Sequence, residues 1–128
     1  MIIAIDFDGT IVEHRYPAIG RTRPYAFKVL KALQDRNHRL ILWTYRSGQK
    51  LVEAVEFCRS HGIEFYAVNK NYPEEEWCAD DSRKILADIY IDDRNLGGLP
   101  SWHDIFTAIC PEEEMDLTPE SKPWWKRR

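Results

Sequence analysis

Apolar residues fall into short unbroken runs, separated by stretches in which they recur at helical spacing. Met1 to Ile5 carries three isoleucines with no polar interruption. That is the pattern of a strand buried on both faces, as in a parallel sheet. Leu40-Ile41-Leu42-Trp43 is a second such run, Phe65 to Val68 a third and Ile85 to Ile91 a fourth. Between the first two runs, Ala26, Val29, Leu30 and Leu33 mark one face of a helix. Pro24 suits its first turn and Asn37-His38 its end. Between the second and third, Leu51, Val52, Val55 and Cys58 form another stripe, with Ser47 as a cap and Gly62 as a stop. After the fourth, Ser101 and Asp104 resemble a capping box, and Ile105, Phe106 and Ile109 follow on a last short helix.

The remaining stretches read as loops. Phe7 to Arg23 contains Gly9, Pro17 and Gly20, with room for a small hairpin; Asn69 to Ser82 contains Pro73 and the run Glu74-Glu75-Glu76. Gly97-Gly98 and Pro100 make a turn. Strands alternating with crossover helices predict an α/β fold with a mostly parallel sheet. Its core spans residues 1–110, and residues 111–128 form a tail that is acidic and then basic. Trp124-Trp125 in that tail suit docking on the body or on a second chain, which leaves a homo-oligomer open.

Composition narrows the function classes. The 128 residues suffice for one core, and 44% hydrophobic with 30% charged residues is an ordinary globular balance. Eighteen basic against 21 acidic residues give a net charge of −3, so there is no clear nucleic-acid footprint. The first apolar run stops at Asp6, too short for a signal peptide or a membrane span. Cys58, Cys78 and Cys110 are widely spaced and form neither a zinc pattern nor a disulfide framework. These features predict a reduced, cytoplasmic protein with no membrane partner.

In open α/β sheets, ligands bind beyond the carboxyl ends of the strands. The first run ends in Asp6-Phe7-Asp8-Gly9-Thr10, the second in Thr44 and the fourth in Asp92-Asp93. Four carboxylates and a hydroxyl are thus expected at one rim. Like charges that close repel by on the order of several kcal/mol at reduced dielectric, so the pattern calls for a cation. Hard oxygen ligands suit magnesium. In an extended strand Asp6 and Asp8 would share one face, and Gly9 permits the break that follows. Two neighbouring carboxyl groups can serve as nucleophile and as general acid/base. A lone Asp at a strand end is ordinarily a turn former or cap; both acidic motifs at one sheet edge point to a metal site.

These motifs resemble those of the haloacid dehalogenase-like (HAD) phosphohydrolase superfamily. Asp6-Phe7-Asp8-Gly9-Thr10 matches its first motif, Thr44 after an apolar strand the second, Lys84 the third (with Lys70 as a rival) and Asp92-Asp93 the fourth. The resemblance covers residues 1 to about 110. It implies a Rossmann-like three-layer sandwich and an Mg2+-dependent phosphate monoester phosphatase. Asp6 would be the nucleophile that becomes an aspartyl-phosphate, and Asp8 the general acid/base. Magnesium would be held by the Asp6 carboxylate, the Asp8 backbone carbonyl and the acidic pair, with Asp93 favoured over Asp92 as direct ligand. Thr44 and Lys84 would hold the phosphoryl oxygens. Asp8 argues against a dehalogenase, because relatives that cleave carbon–halogen bonds lack an acid there. Residues 11–43 and 45–83 are too few for a cap domain, so the chain is similar to capless members, whose substrates are small molecules or macromolecules.

The receiver domains of signalling proteins offer an alternative: a phosphorylated aspartate that acts as a binding module without turnover. In them the acidic pair comes early, whereas here Asp6-Phe7-Asp8 opens the chain. A silent scaffold finds no support, since every motif residue is present, and a mutase ordinarily needs a cap. On the substrate side, Arg15, Arg46 and Lys70 are the candidate contacts, with Arg46 favoured because it closely follows Thr44. Tyr16 could stack on a ring, while His14 has a weaker claim. Trp43, Trp77 and Trp102 read as packing residues.

Overall fold

The isoleucine-rich run at the start of the chain forms β1 (Ile2–Ile5), a central strand. The structure is a computed structural model that describes residues 1–115. After β1 come α1 (Ala26–Asp35), β2 (Arg39–Leu42), α2 (Gly48–Ser60), β3 (Ala67–Val68), β4 (Ile89–Ile91) and α3 (Trp102–Ile109). Among the described residues the strands form one sheet in the order β3-β2-β1-β4. Every pairing in it is parallel, with Ile3 opposite Leu40 on one side and Ile89 on the other. The α/β fold with a parallel sheet is therefore present, and the described residues contain no cap domain. No described helix is long and apolar enough to cross a membrane.

Alternation along the strands divides the core in two. Ile3, Ile5, Leu40, Leu42 and Ile91 join Val29, Leu30 and Leu33 of α1, Ala54 and Cys58 of α2, and Ile105 and Phe106 of α3 in one cluster. The three helices of the described residues thus cover one face of the sheet. On the other face Ala4, Ile41 and Ala67 pack with Ile85, Trp43, Tyr66 and Tyr90. The third layer is therefore the irregular segment of residues 69–88 in place of a helix. Pro73 and the three consecutive glutamates deny that segment an apolar helical stripe.

The element ends follow local chemistry. Both α1 and α2 close with the same pair of backbone bonds. His38 N–H donates to Leu33 O (3.2 Å) and Asn37 N–H to Gln34 O (3.0 Å); Ile63 N–H donates to Cys58 O (3.1 Å) and Gly62 N–H to Arg59 O (2.9 Å). Asn37 and Gly62 take the left-handed conformation this closure requires, at φ 65° and 84°. The Ser101 hydroxyl caps α3 by accepting from Asp104 N–H at 3.1 Å.

Several expectations are corrected. Ser47 occupies the cap position of α2 but makes no side-chain cap bond. Pro24 sits in a turn before α1, whose cap is a left-handed Tyr25. Val52 is half exposed, and Ala54 takes its place in the core stripe. β4 begins at Ile89: Asp88 still donates its N–H to Ile2 O (2.8 Å) but takes Ile2 N–H on its carboxylate (2.8 Å), and Ile85 packs on the sheet face opposite the helices. The loop after β1 does carry a small hairpin, closed by Glu13 N–H to Arg21 O (2.7 Å) and Arg23 N–H to Ile11 O (2.9 Å). The Trp124-Trp125 pair lies outside the described residues.

Strand order sets the position of the site. From β1 the chain moves outward through β2 to β3, then returns to place β4 on the opposite side of β1. The connections leave β1 in opposite directions, so a crevice opens at its carboxyl end between β1 and β4. We expect Ile41→Ala, at the centre of the sheet, to cost about 2–5 kcal/mol in denaturant unfolding. Val52→Ala, at a half-exposed position, should stay within about 0.5 kcal/mol.

Candidate active site

At that crevice the chain brings together Asp6 from the end of β1 with Asp92 and Asp93 from the end of β4. Carboxylate oxygens of the three lie within 4.8 Å of one another. Asp6 N–H still donates to Ile91 O (3.0 Å), so the ladder continues one residue beyond the strands and holds the two acidic segments in register. Thr10 ties them together from below. Its buried hydroxyl donates to Asp6 Oδ2 (3.2 Å) and accepts from Asp93 N–H (3.1 Å). Trp102 anchors the same turn by donating its indole N–H to Thr10 O at 3.0 Å. Gly9, at φ 83°, leaves the space that Asp93 occupies, since a Cβ there would stand 2.2 Å from Asp93 Oδ2.

The cluster carries more negative charge than its surroundings compensate. Burial, the hydrogen-bonded Asp93 carboxyl and the charges of Asp92 and Asp93 outweigh a backbone bond from Phe7, and push Asp6 from its usual 3.8 up to about 7. Asp93 Oδ1 is buried and meets no hydrogen-bond donor among the described residues. A buried acceptor of this kind costs about 1–3 kcal/mol unless something satisfies it. An orphaned oxygen inside a three-carboxylate cluster fits a hard divalent cation such as magnesium, with Asp6, Asp92 and Asp93 as the residues able to hold it.

Asp8 lines the same cleft as Asp6 and Asp92, as the strand-end pattern predicts, but its carboxylate does not join this group of three. Its carboxylate turns inward onto Arg46: Nε donates to Oδ2 and Nη2 to Oδ1, each at 2.7 Å, with both side chains 0% exposed. The guanidinium also donates to Ala18 O (3.0 Å), Pro17 O and Lys50 O (both 3.4 Å). These bonds occupy all five of its donors. Rings of Phe7 and Tyr16 lie 5.1 and 5.0 Å from its central carbon. Arg46, expected as a substrate contact, is thus a buried partner of Asp8.

Thr44 follows β2 and lines the mouth. Its N–H donates to Asn69 Oδ1 (2.8 Å), and its hydroxyl accepts from Arg46 N–H (3.2 Å), which leaves the hydroxyl proton to donate. The cleft above the acidic cluster measures about 640 Å³, and its walls include Trp43, Tyr45, His14 and Arg94. Arg15, Lys70 and Lys84 are not among its lining residues. Arg15 is exposed and, among the described residues, donates to its neighbour's carbonyl, His14 O, at 3.5 Å. Lys84 holds its ammonium over the Tyr90 ring, 5.2 Å from the centroid, on the sheet face opposite the helices. Thr10, to which the motif pattern assigned no separate role, fastens the acidic segments, and His14, given only a weak claim as a substrate contact, is among the residues that line the cleft. The sequence had no signal for the Asp8–Arg46 pair, which joins positions 38 residues apart.

A parallel α/β fold with an acidic cluster at its switch point defines the class. No family model matches the chain, and no curated protein matches it. It is similar to a solved structure described as the conserved protein coded by a locus from Bacteroides thetaiotaomicron. The two are 57% identical, with 88% of this chain and 92% of that one covered and a TM-score of 0.82. The chain belongs to the same family as that Bacteroides thetaiotaomicron protein.

Two outcomes follow from the cluster. Asp6, raised in the folded chain, keeps a proton that the unfolded chain releases from about pH 4 upward, so without divalent cations stability should fall as pH rises from about 4 to about 7. Cation binding needs Asp6 ionised. Thermal melts with magnesium should therefore show a larger gain in Tm at about pH 8 than at about pH 5. Gly9→Ala displaces Asp93 and should lower the Tm and abolish that gain.

Proposed function

We propose that the protein is a magnesium-dependent phosphohydrolase of the HAD type, acting on phosphate monoesters. The observation that supports this reading is the convergence of Asp6, Asp92 and Asp93 around a buried, donor-less Asp93 Oδ1, at the mouth of a cleft much larger than one phosphoryl group. Asp6 is the nucleophile. Its carboxylate attacks phosphorus in line, an aspartyl-phosphate forms and the ester oxygen departs with a proton from Asp8. Water then attacks the phosphorus and gives its proton to Asp8, releasing inorganic phosphate and restoring Asp6. Thr44 donates its hydroxyl to a phosphoryl oxygen. Arg94 and His14 line the cleft, where the Arg94 guanidinium offers positive charge and the His14 imidazole a hydrogen-bonding edge. Magnesium held by Asp6, Asp92 and Asp93 would neutralise their charge and polarise a phosphoryl oxygen.

Phosphoryl transfer relies on positioning and charge more than on covalent work by the protein. Thr10 fits that demand, because it fixes Asp6 and the Asp93 backbone at once. The space flanked by Trp43 and Tyr45 would receive the alcohol portion of the ester, from a small molecule or from a macromolecular end.

The test is turnover of an aryl phosphate by the purified protein. Activity should require magnesium and disappear with chelator, and Asp6→Asn should lower kcat by at least about 10³-fold. A fully active Asp6→Asn variant, or activity indifferent to chelator, overturns the reading. A long-lived phosphorylated protein without turnover would favour a receiver-like binding module.

A further inference from the structure

The carboxylate assigned as general acid/base is fully enclosed, and both of its oxygens are taken by one guanidinium. A carboxylate in that position cannot reach the ester oxygen of a bound substrate unless it gives up at least one of those bonds. We infer that Arg46 is the positioning residue for Asp8. It serves as a fixed pivot on which the carboxyl group moves from a two-point to a one-point bond, so that one oxygen turns into the cleft while the other stays on the guanidinium. This inference rests on the phosphohydrolase reading.

The fixity of the pivot is visible in its contacts. Besides Asp8, the guanidinium donates to the carbonyls of Pro17, Ala18 and Lys50, which belong to the loop after β1 and to the first turn of α2. Phe7 and Tyr16 flank it with their rings. Arg46 itself is 1% exposed. A guanidinium held by three main-chain oxygens stays in place when one bond to Asp8 is released. A lysine ammonium has three donors on a flexible stem and cannot replace that fork. Asp8 already borders the cleft that the released oxygen would enter.

The chemical consequence concerns leaving groups. As the Asp6 oxygen–phosphorus bond forms and the phosphorus–ester oxygen bond breaks, the departing oxygen takes the proton of the Asp8 carboxyl. Asp8 recovers a proton from the water that hydrolyses the aspartyl-phosphate. An alkoxide leaving group needs that proton, whereas a nitrophenolate is stable without it. An error in Asp8 placement therefore slows alkyl esters selectively, while a general loss of structure slows both kinds alike.

The experiment compares kcat for a simple alkyl phosphate and for p-nitrophenyl phosphate, with magnesium present, in wild type, Arg46→Lys, Asp8→Asn and the double variant. Melting curves check that each is folded. Arg46→Lys should lower kcat on the alkyl ester at least tenfold more than on the nitrophenyl ester. In the Asp8→Asn background it should change the alkyl rate by less than threefold. Equal loss on both esters, or no loss, overturns the inference while leaving the phosphohydrolase reading intact. A wild-type protein inactive on both esters overturns that reading, and this inference with it. If Arg46→Lys does not fold, Asp8→Asn/Arg46→Gln removes both charges together and is compared with Asp8→Asn. An unchanged ratio of alkyl to nitrophenyl rates supports the inference, and a shifted ratio overturns it.

Discussion

Negative charge gathered beneath the surface at the carboxyl edge of β1 is the constraint on which the rest of the structure depends. Asp6 and Asp8 are separated by one residue, yet they are accommodated in opposite ways. Asp8 meets a guanidinium whose five donors are all used, and the pair is sealed from water. Removing one partner of such a pair leaves a buried charge, at a cost of about 3–5 kcal/mol. Asp6 instead meets the carboxylates of Asp92 and Asp93 just past β4, and burial together with these neighbours raises its own proton affinity. One side of the motif is electrically closed, and the other is open to a cation.

The backbone makes this division possible. β1 ends at Ile5, and from there Gly9 turns at a positive φ that returns the chain across the end of β4. Thr10 fastens the turn to the Asp93 backbone, and the Trp102 indole fastens it to α3. The loop that follows, residues 11–23, folds back as a hairpin, and the Arg46 guanidinium holds its Pro17-Ala18 turn. The site is thus built from the centre of the sheet outward, and each connecting loop near it is tied down by a buried polar group.

This arrangement bears on the proposed chemistry through its asymmetry. A nucleophile needs to be exposed to phosphorus and relieved of its charge by a cation, which suits Asp6 among its neighbours. A proton carrier needs to alternate between a donor network and the substrate, which suits a carboxylate held by a rigid fork next to the cleft. The walls of the cleft include the aromatic rings of Trp43 and Tyr45 together with Arg94 and His14.

Much of the fold was legible in the chain itself. Continuous apolar runs marked buried parallel strands, helical stripes marked α1 and α3, and Asn37 and Gly62 marked closures that need a left-handed residue, because each depends only on local geometry and burial. The meeting of Asp6 with Asp92-Asp93 was legible for the same reason: strand ends in a parallel sheet share one edge. The tertiary structure decided what depends on side-chain direction and on contacts distant in sequence. It turned Asp8 away from the cluster onto Arg46, placed Lys84 on the sheet face opposite the helices, brought His14 and Arg94 to the cleft, and covered that face with the segment 69–88 in place of a helix. No periodicity encodes these outcomes, because each follows from which buried charge finds a partner across the fold and which polar groups are left facing water.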